Sequence, residues 1–353
     1  MSLPRKVVIL HEWDGKPYYW ALDSLVRAET GRPPLYREVW LIRQMGIGLI
    51  RRNRDLVVKS LRNTLFFLRS FFLRDRVIVL GIAPFDPALL FWSRLRRNNQ
   101  VIYHTSWLKW DGSDVPKRSL VFRGLIRRRW KEFLEDPRVR VVSILGESKT
   151  DMLRHYRKDP ELFATIPHAL DLKVFASPAR RPAGDILKVA YVGRLNARKG
   201  IDVVADLIDK ADPARFRIGV AGEGPEWKRL EPLQGRFDYH GFLSGKAQVA
   251  GLLKEYDVMI LPSFFEPFGI ALVEAMACGV VCIVSDGLFP KDLILDGQNG
   301  FIVPRTTGAF LEALEKLHRD RALLESFRVQ GLDRVKEFEL GAIGERWRAL
   351  LRS

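Results

Sequence analysis

Short Val- and Ile-rich runs recur along the chain at intervals that leave room for a helix between them. Four lie in the first half: KVVIL (6–10), RVIVLGI (76–82), QVIYH (100–104) and VRVVSIL (139–145). A strand covered by helices on both faces has no polar side to show, so this alternation predicts a buried parallel sheet. ASPARRPAGD (176–185), rich in Pro, Ala and Arg, predicts a linker. The alternation then restarts with LKVAYVG (187–193), FRIGVAG (216–222), FDYHGF (237–242), DVMILP (257–262) and VVCIVSD (280–286). The expected fold class is α/β: two Rossmann-like, doubly wound domains facing across a cleft, residues 1–180 and 181–337. The closing stretch LGAIGERWRALLRS (340–353) reads as an amphipathic helix, and the segment from about 338 to 353 is expected to pack back on the first domain.

Composition narrows the class. A chain of 353 residues exceeds one ordinary core, and 47% hydrophobic with 28% charged residues excludes disordered and fibrous chains. Two cysteines in apolar surroundings, Cys278 and Cys282, make no disulfide framework and suit a reducing compartment. The six histidines include no pair at metal-ligand spacing, so no metal is expected. No signal peptide follows MSLPRK. The longest apolar run, VIVLGIAPFDPALLFW (77–92), contains Asp86 and two prolines and reads as strand, loop and helix start, not a membrane span.

Candidate chemistry gathers after the linker, in strand-to-helix turns, where open α/β sheets bind ligands. YVGRLNARKG (191–200) sets Gly193, Arg194 and Lys199 directly after a strand, a combination suited to a diphosphate, although a solvated turn gives the same letters. VAGEGPEW (220–227) adds a second Gly-rich turn. The stretch FFEPFGIALVEAMACG (264–279) places Glu266 before and Glu274 within a helix expected to start near Gly269. Five residues of helix separate Gly269 from Glu274, about 7.5 Å along the axis. Free N–H groups at the helix start favour phosphate, and carboxylates accept from pairs of sugar hydroxyls. A sugar at each end of a diphosphate, a nucleotide-sugar, fits this spacing better than two solvated surface glutamates do.

The segments GRLNARKG, GEGP, HGFLS, LPSFFEPFGIALVEAMACG and LDGQNGFIV, in that order over roughly residues 187–305, resemble the retaining glycosyltransferases of the GT-B fold, family four. The first half is similar more weakly, through VIYHTSW, SILGESKTDML and TIPHALDLKVF. The resemblance implies catalytic roles for His104, Arg194, Lys199 and Glu266. Glu266 is implied near the donor sugar's hydroxyls and Glu274 on the ribose. Arg194 and Lys199 are implied on the diphosphate, stabilising the leaving nucleotide. The resemblance likewise implies that backbone N–H groups of Phe268, Gly269 and Ile270 hold sugar and phosphate, that Phe242 and Leu243 lie near the base, and that His104 faces the donor sugar. The family's usual Gly-Gly turn after the first strand is replaced by HEWDGKPYYW (11–20), leaving Gly15 and Lys16 as its phosphate contacts. His168-Ala169 replaces the usual Asn-Gly, and DGLFPKDLI puts Lys291 where an acid is common. The resemblance further implies a UDP- or GDP-linked donor, retention at the anomeric carbon by front-face substitution without an assigned enzymatic nucleophile, and no cofactor. DGSD (111–114) is not the metal-binding D-x-D of the other glycosyltransferase fold.

Charge bears on the acceptor. Residues 1–180 hold 34 Lys and Arg against 18 Asp and Glu, and residues 181–353 hold 24 against 24, so the net +16 belongs to the first half. In RRNRDLVVKSLRNTLFFLRSFFLRDR (51–76), helical spacing puts Val57, Leu61, Leu65, Leu68 and Phe72 on one stripe. The opposite face then carries Arg52, Lys59, Arg62, Phe66, Arg69 and Leu73, a basic outer surface with protruding apolar groups suited to a lipid interface. PKRSLVFRGLIRRRWKEFL (116–134) mixes Arg with Phe and Trp likewise; two solvated, Arg-rich helices are the alternative. Trp13, Tyr18, Tyr19, Trp20, Trp107 and Trp110 are acceptor-side candidates. These readings predict a cytoplasmic protein, peripheral at the inner membrane face, glycosylating a lipid or lipid-linked acceptor. A soluble polysaccharide or small-molecule acceptor is the alternative, as is a non-catalytic basic scaffold on membrane or nucleic acid. No nucleic-acid recognition motif appears, so no nucleic-acid partner is expected.

Overall fold

The computed structural model describes residues 6–11, 19–39, 54–70, 72–107, 109–111, 123–176, 184–266, 268–287 and 293–352. They form two compact units, Met1–Ala169 with Ile343–Ser353, and Leu170–Ala342.

The first unit holds β1 (Val7–His11), β2 (Leu35–Glu38), β3 (Val77–Gly81), β4 (Gln100–Thr105), β5 (Val139–Ser143) and β6 (Phe163–Thr165) in the order β2-β1-β3-β4-β5-β6. Every pairing is parallel. The order reverses between β1 and β3, which opens a crevice at their carboxyl ends, where register sets His11 beside Gly81. Val8, Leu10, Ile78, Leu80, Val101 and Tyr103 meet Trp92, Trp110, Trp130 and Phe133 in the core. Each of these three indoles finds an acceptor: Trp130 donates to the Asp86 carbonyl (3.1 Å), Trp110 to Ser148 Oγ (3.1 Å) and Trp92 to the Val39 carbonyl (3.2 Å). Three expectations are corrected by this packing. Trp110 is core and not an acceptor-side surface residue. On the helix Arg123–Leu134, Trp130 and Phe133 point inward, leaving arginines on the outer side. Tyr19 is likewise fully buried.

The helix Arg54–Ser70 turns the other way round from the expected orientation. Leu61, Leu65 and Leu68 are 56, 49 and 56% exposed, and Phe72 just beyond the helix is 84% exposed, whereas Phe66 is only 8% exposed. Aromatic partners decide this. Phe66 stacks on Trp92 at 6.3 Å, Phe67 meets the same indole edge-on at 5.3 Å, and the Arg94 guanidinium lies 4.6 Å over Phe67 while donating to Ser70 Oγ (2.7 Å). Ser60 and Asn63 are buried with Phe66, so the inner side is mixed and the aliphatic stripe faces solvent, interleaved with exposed Arg62 and Arg69. Arg52 lies outside the described residues, as does the Lys59 side chain. No described helix is long and apolar enough to cross a membrane.

The second unit holds β7 (Leu187–Val192), β8 (Phe216–Ala221), β9 (Asp238–Tyr239), β10 (Val258–Leu261), β11 (Val281–Ser285) and β12 (Gly300–Val303) in the order β12-β11-β10-β7-β8-β9, again all parallel. Strand order reverses between β7 and β10, the dinucleotide-type switch point. The strand expected over 237–242 is confined to Asp238–Tyr239, and β2, β6 and β12 are additional to the strands expected. The helix Leu340–Arg352 returns to the first unit, burying Ile343, Trp347 and Leu351. Arg348 pairs with Glu29 (2.6 Å), and Arg140 donates to the Leu350 carbonyl (2.9 Å).

Candidate functional site

The segment between β7 and the helix Ile201–Lys210 is stitched to its neighbours by backbone bonds. Gly193 N–H donates to Ala221 (3.0 Å), Leu195 N–H to Glu223 (2.9 Å), Glu226 N–H to Leu195 (3.0 Å) and Gly222 N–H to Gly241 (2.7 Å). Gly222 has φ +139°, and a Cβ there would collide with the Gly193 carbonyl oxygen, so only glycine lets the two turns approach this closely. Between them lies a cavity of about 600 Å³ walled by Gly193, Arg194, Gly222, Glu223, Phe242 and Leu243 among others. Its size is in the range of small-molecule pockets. Arg194 is exposed and its guanidinium has no partner among the described residues, while Tyr191 Oη holds its carbonyl (3.0 Å). Phe242, 66% exposed, offers a ring face.

A second cluster stands outside those walls, at the carboxyl end of β10. The same turn reaches it: Asn196 Oδ1 accepts from Lys199 N–H (3.1 Å) and sets the 3₁₀ turn Ala197–Lys199. Phe264 N–H donates to the Arg198 carbonyl (2.9 Å), and Gly200 (φ +75°) sits against the Pro262 carbonyl with no room for a Cβ. Lys199 Nζ thereby pairs with Glu266 Oε2, and Glu266 Oε1 accepts from Gly269 N–H at 3.3 Å. Gly269 (φ +74°) caps the helix Ile270–Ala277, with Phe268 buried and Ile270 exposed. Glu274 lies on that helix. Burial pushes its carboxyl up to about 7, Lys246 opposing, and the carboxylate oxygens accept no hydrogen bond from the described residues.

His104 occupies the carboxyl end of β4 in the first unit, buried beside a cavity of about 250 Å³ walled by His11, Gly81, Ile82, Ala83, Pro84, Thr105, Ser106, Trp107 and His168 as well. Gly15 and Lys16 lie outside the described residues, as do Trp13, Tyr18 and Lys291. Sequence reading did not single out His11, His168 or Tyr19 as partners of His104, nor Glu223 and Asn196 in the second unit. The available signal was position: His11 ends a strand, and Asn196 precedes the basic pair. No cluster of three or more His, Cys, Asp or Glu suited to a metal occurs among the described residues.

Residues 177–333 match the family model described as Glycosyl transferases group 1. A D-inositol 3-phosphate glycosyltransferase of Streptomyces bingchenggensis is 29% identical over 214 residues, 53% of this chain and 46% of that protein. A GDP-mannose-dependent alpha-(1-6)-phosphatidylinositol dimannoside mannosyltransferase of Mycobacterium tuberculosis is 40% identical over 140 residues, 34% of this chain and 35% of that protein. The matches therefore span less than half the length of these relatives. Among solved structures, Anabaena HepE in complex with UDP superposes with a TM-score of 0.71 at 16% identity, covering 98% of this chain and 99% of that one. A glycosyltransferase from Rickettsia africae gives 0.71 at 14% identity, with 98% of each chain covered. These likenesses establish the fold.

Proposed function

We propose that this chain, a member of the glycosyl transferases group 1 through residues 177–333 and of GT-B fold, transfers a sugar from a UDP- or GDP-linked donor to a lipid or lipid-linked acceptor with retention at the anomeric carbon. The supporting observation is the single turn 193–200 that brings Arg194 to the 600 Å³ cavity and Lys199 to Glu266. In this reading the nucleoside fills the cavity against Phe242 and Leu243, with Gly193 and the N–H group of Ile270 toward the phosphates. Glu274 takes the ribose hydroxyls.

Glu266, steadied by Lys199 and Gly269 N–H, keeps lone pairs for the donor sugar's hydroxyls. Lys199 is a compact charge with three donors and so serves both Glu266 and a phosphate oxygen. Arg194 adds a fork for the diphosphate. Together they stabilise negative charge as the nucleoside diphosphate leaves. Front-face substitution by the acceptor hydroxyl then needs no enzymatic nucleophile.

The acceptor reading draws on the solvent-facing stripe Leu61, Leu65, Leu68 and Phe72, set among arginines in the half of the chain that holds the positive charge. The mycobacterial relative is named for a lipid, phosphatidylinositol dimannoside. The protein would then sit peripherally at the inner face of the cytoplasmic membrane. Thermal stabilisation by UDP-glucose or GDP-mannose, abolished by Lys199→Ala, is the expected result; no shift with any UDP- or GDP-sugar would refute the donor assignment. Pelleting with anionic vesicles tests the acceptor side, and an unbound protein at low salt points to a soluble acceptor.

A further inference from the structure

The small cavity of the first unit has a polar wall whose hydrogen can be placed. Tyr19 is fully buried, and its hydroxyl lies 3.2 Å from His104 Nδ1. That nitrogen is the phenol's sole hydrogen-bond partner among the described residues. A buried O–H needs an acceptor, so the phenol donates and Nδ1 accepts. Were Nδ1–H the donor, the phenolic hydrogen would be orphaned. His104 Nε2 has no partner among the described residues and is not sealed from the cavity that the ring lines.

Three further rings lie around the Tyr19–His104 pair, two against the imidazole and one against the phenol. The Trp347 indole lies 6.0 Å from the imidazole, tilted 34°, on the helix that returns from the second unit. The rings of His168, 6.5 Å from His104, and of His11, 5.6 Å from Tyr19, complete the surround. At Gly81 a Cβ would strike both Tyr19 Oη and the His11 ring, so glycine at the end of β3 is what admits the phenol. Burial first, then His168 and His11, hold the His104 imidazole well below its ordinary pKa, and burial likewise pushes the Tyr19 phenol up. Both rings are therefore neutral, which the donor–acceptor assignment requires.

We propose that Tyr19 is a positioning residue: by donating to Nδ1 it fixes His104 as the Nε2–H tautomer, so that the cavity presents a hydrogen-bond donor to a sugar or acceptor oxygen and not a base to a hydroxyl proton. What fills the cavity rests on the glycosyltransferase reading, whereas the tautomer is a property of the free protein.

A long-range ¹H–¹⁵N spectrum of the full chain, assigned with His104→Gln, tests it. Nδ1 is expected in the unprotonated range and Nε2 in the protonated range, and Tyr19→Phe is expected to move the Nδ1 resonance with the rest of the spectrum in place. A protonated Nδ1, or one that Tyr19→Phe leaves unmoved, overturns the proposal. Nucleotide release from UDP-glucose and GDP-mannose supplies the second arm. His104→Gln keeps an N–H near the Nε2 position and should stay within about tenfold of wild type, while His104→Ala falls by about a hundredfold. Equal losses in the two variants would overturn the donor role. Failure of every donor to turn over refutes the enzymatic reading and leaves the spectral result to decide the tautomer.

Discussion

Glu266 and Glu274, eight positions apart, occupy opposite electrostatic settings. The first is partnered by an ammonium and a helix-start N–H; the carboxylate of the second is desolvated, with Lys246 the opposing charge and no hydrogen bond to that carboxylate from the described residues. Because the folded-state value of Glu274 is raised, the folded protein binds more protons than the unfolded chain between about pH 4.5 and 7, and stability falls as pH rises through that window. Glu274→Gln, which never ionises, should be more stable than wild type at pH 8 by on the order of 1–3 kcal/mol, with the gain shrinking towards pH 4. The same variant should lose stabilisation by nucleotide-sugars. Denaturant titration at the two pH values, with and without UDP-glucose or GDP-mannose, measures both, and equal stability at pH 8 would count against a desolvated carboxylate. Glycines allow a second comparison. Gly222 and Gly235 both have positive φ, yet a Cβ meets a backbone oxygen only at Gly222. Gly235→Ala should cost about 1 kcal/mol and Gly222→Ala at least about twice that, read from denaturation midpoints.

At the scale of elements, what the sequence discloses divides by position in the sheet. The interior strands β1, β3, β4, β5, β7, β8, β10 and β11 are the ones their apolar runs announce, since both faces are covered. The missed or overextended strands, β2, β6, β9 and β12, are all edges. LYRE, FAT and DY are short or polar because an edge bonds on one side only, and they carry no run to detect. The turns after β7 and β10 were legible because glycine and charge are unusual at strand ends. The Tyr19–His104 contact was not, since it joins positions 85 residues apart. The helix Arg54–Ser70 shows a further limit: periodicity finds a stripe, but Trp92 and Arg94, elsewhere in the chain, decide which side is buried. Leu61→Glu with Leu65→Glu and Leu68→Glu should change folding stability by no more than about 0.5 kcal/mol per site and abolish vesicle pelleting, whereas Phe66→Ala should cost about 3 kcal/mol. Unfolding of the triple variant would show that this stripe is core after all.

For the whole molecule, the division of charge gives the two halves different responses to salt. Association of a strongly positive surface with anionic lipid weakens once the screening length shrinks from about 10 Å at 0.1 M to about 3 Å at 1 M. Vesicle pelleting should therefore decline steeply over that range, while thermal stabilisation by UDP-glucose or GDP-mannose, which depends on the electrically balanced half, declines less. Parallel salt dependence of the two would contradict separate sites. The first unit is also discontinuous, taking its last helix from the far side of Leu170–Ala342. Synthesis on the ribosome proceeds from the N-terminus, so Trp347 emerges only after the whole intervening unit has been made. The pocket around His104 is consequently finished late: a nascent chain can complete the unit Leu170–Ala342 while the first unit still waits for the indole that braces the imidazole.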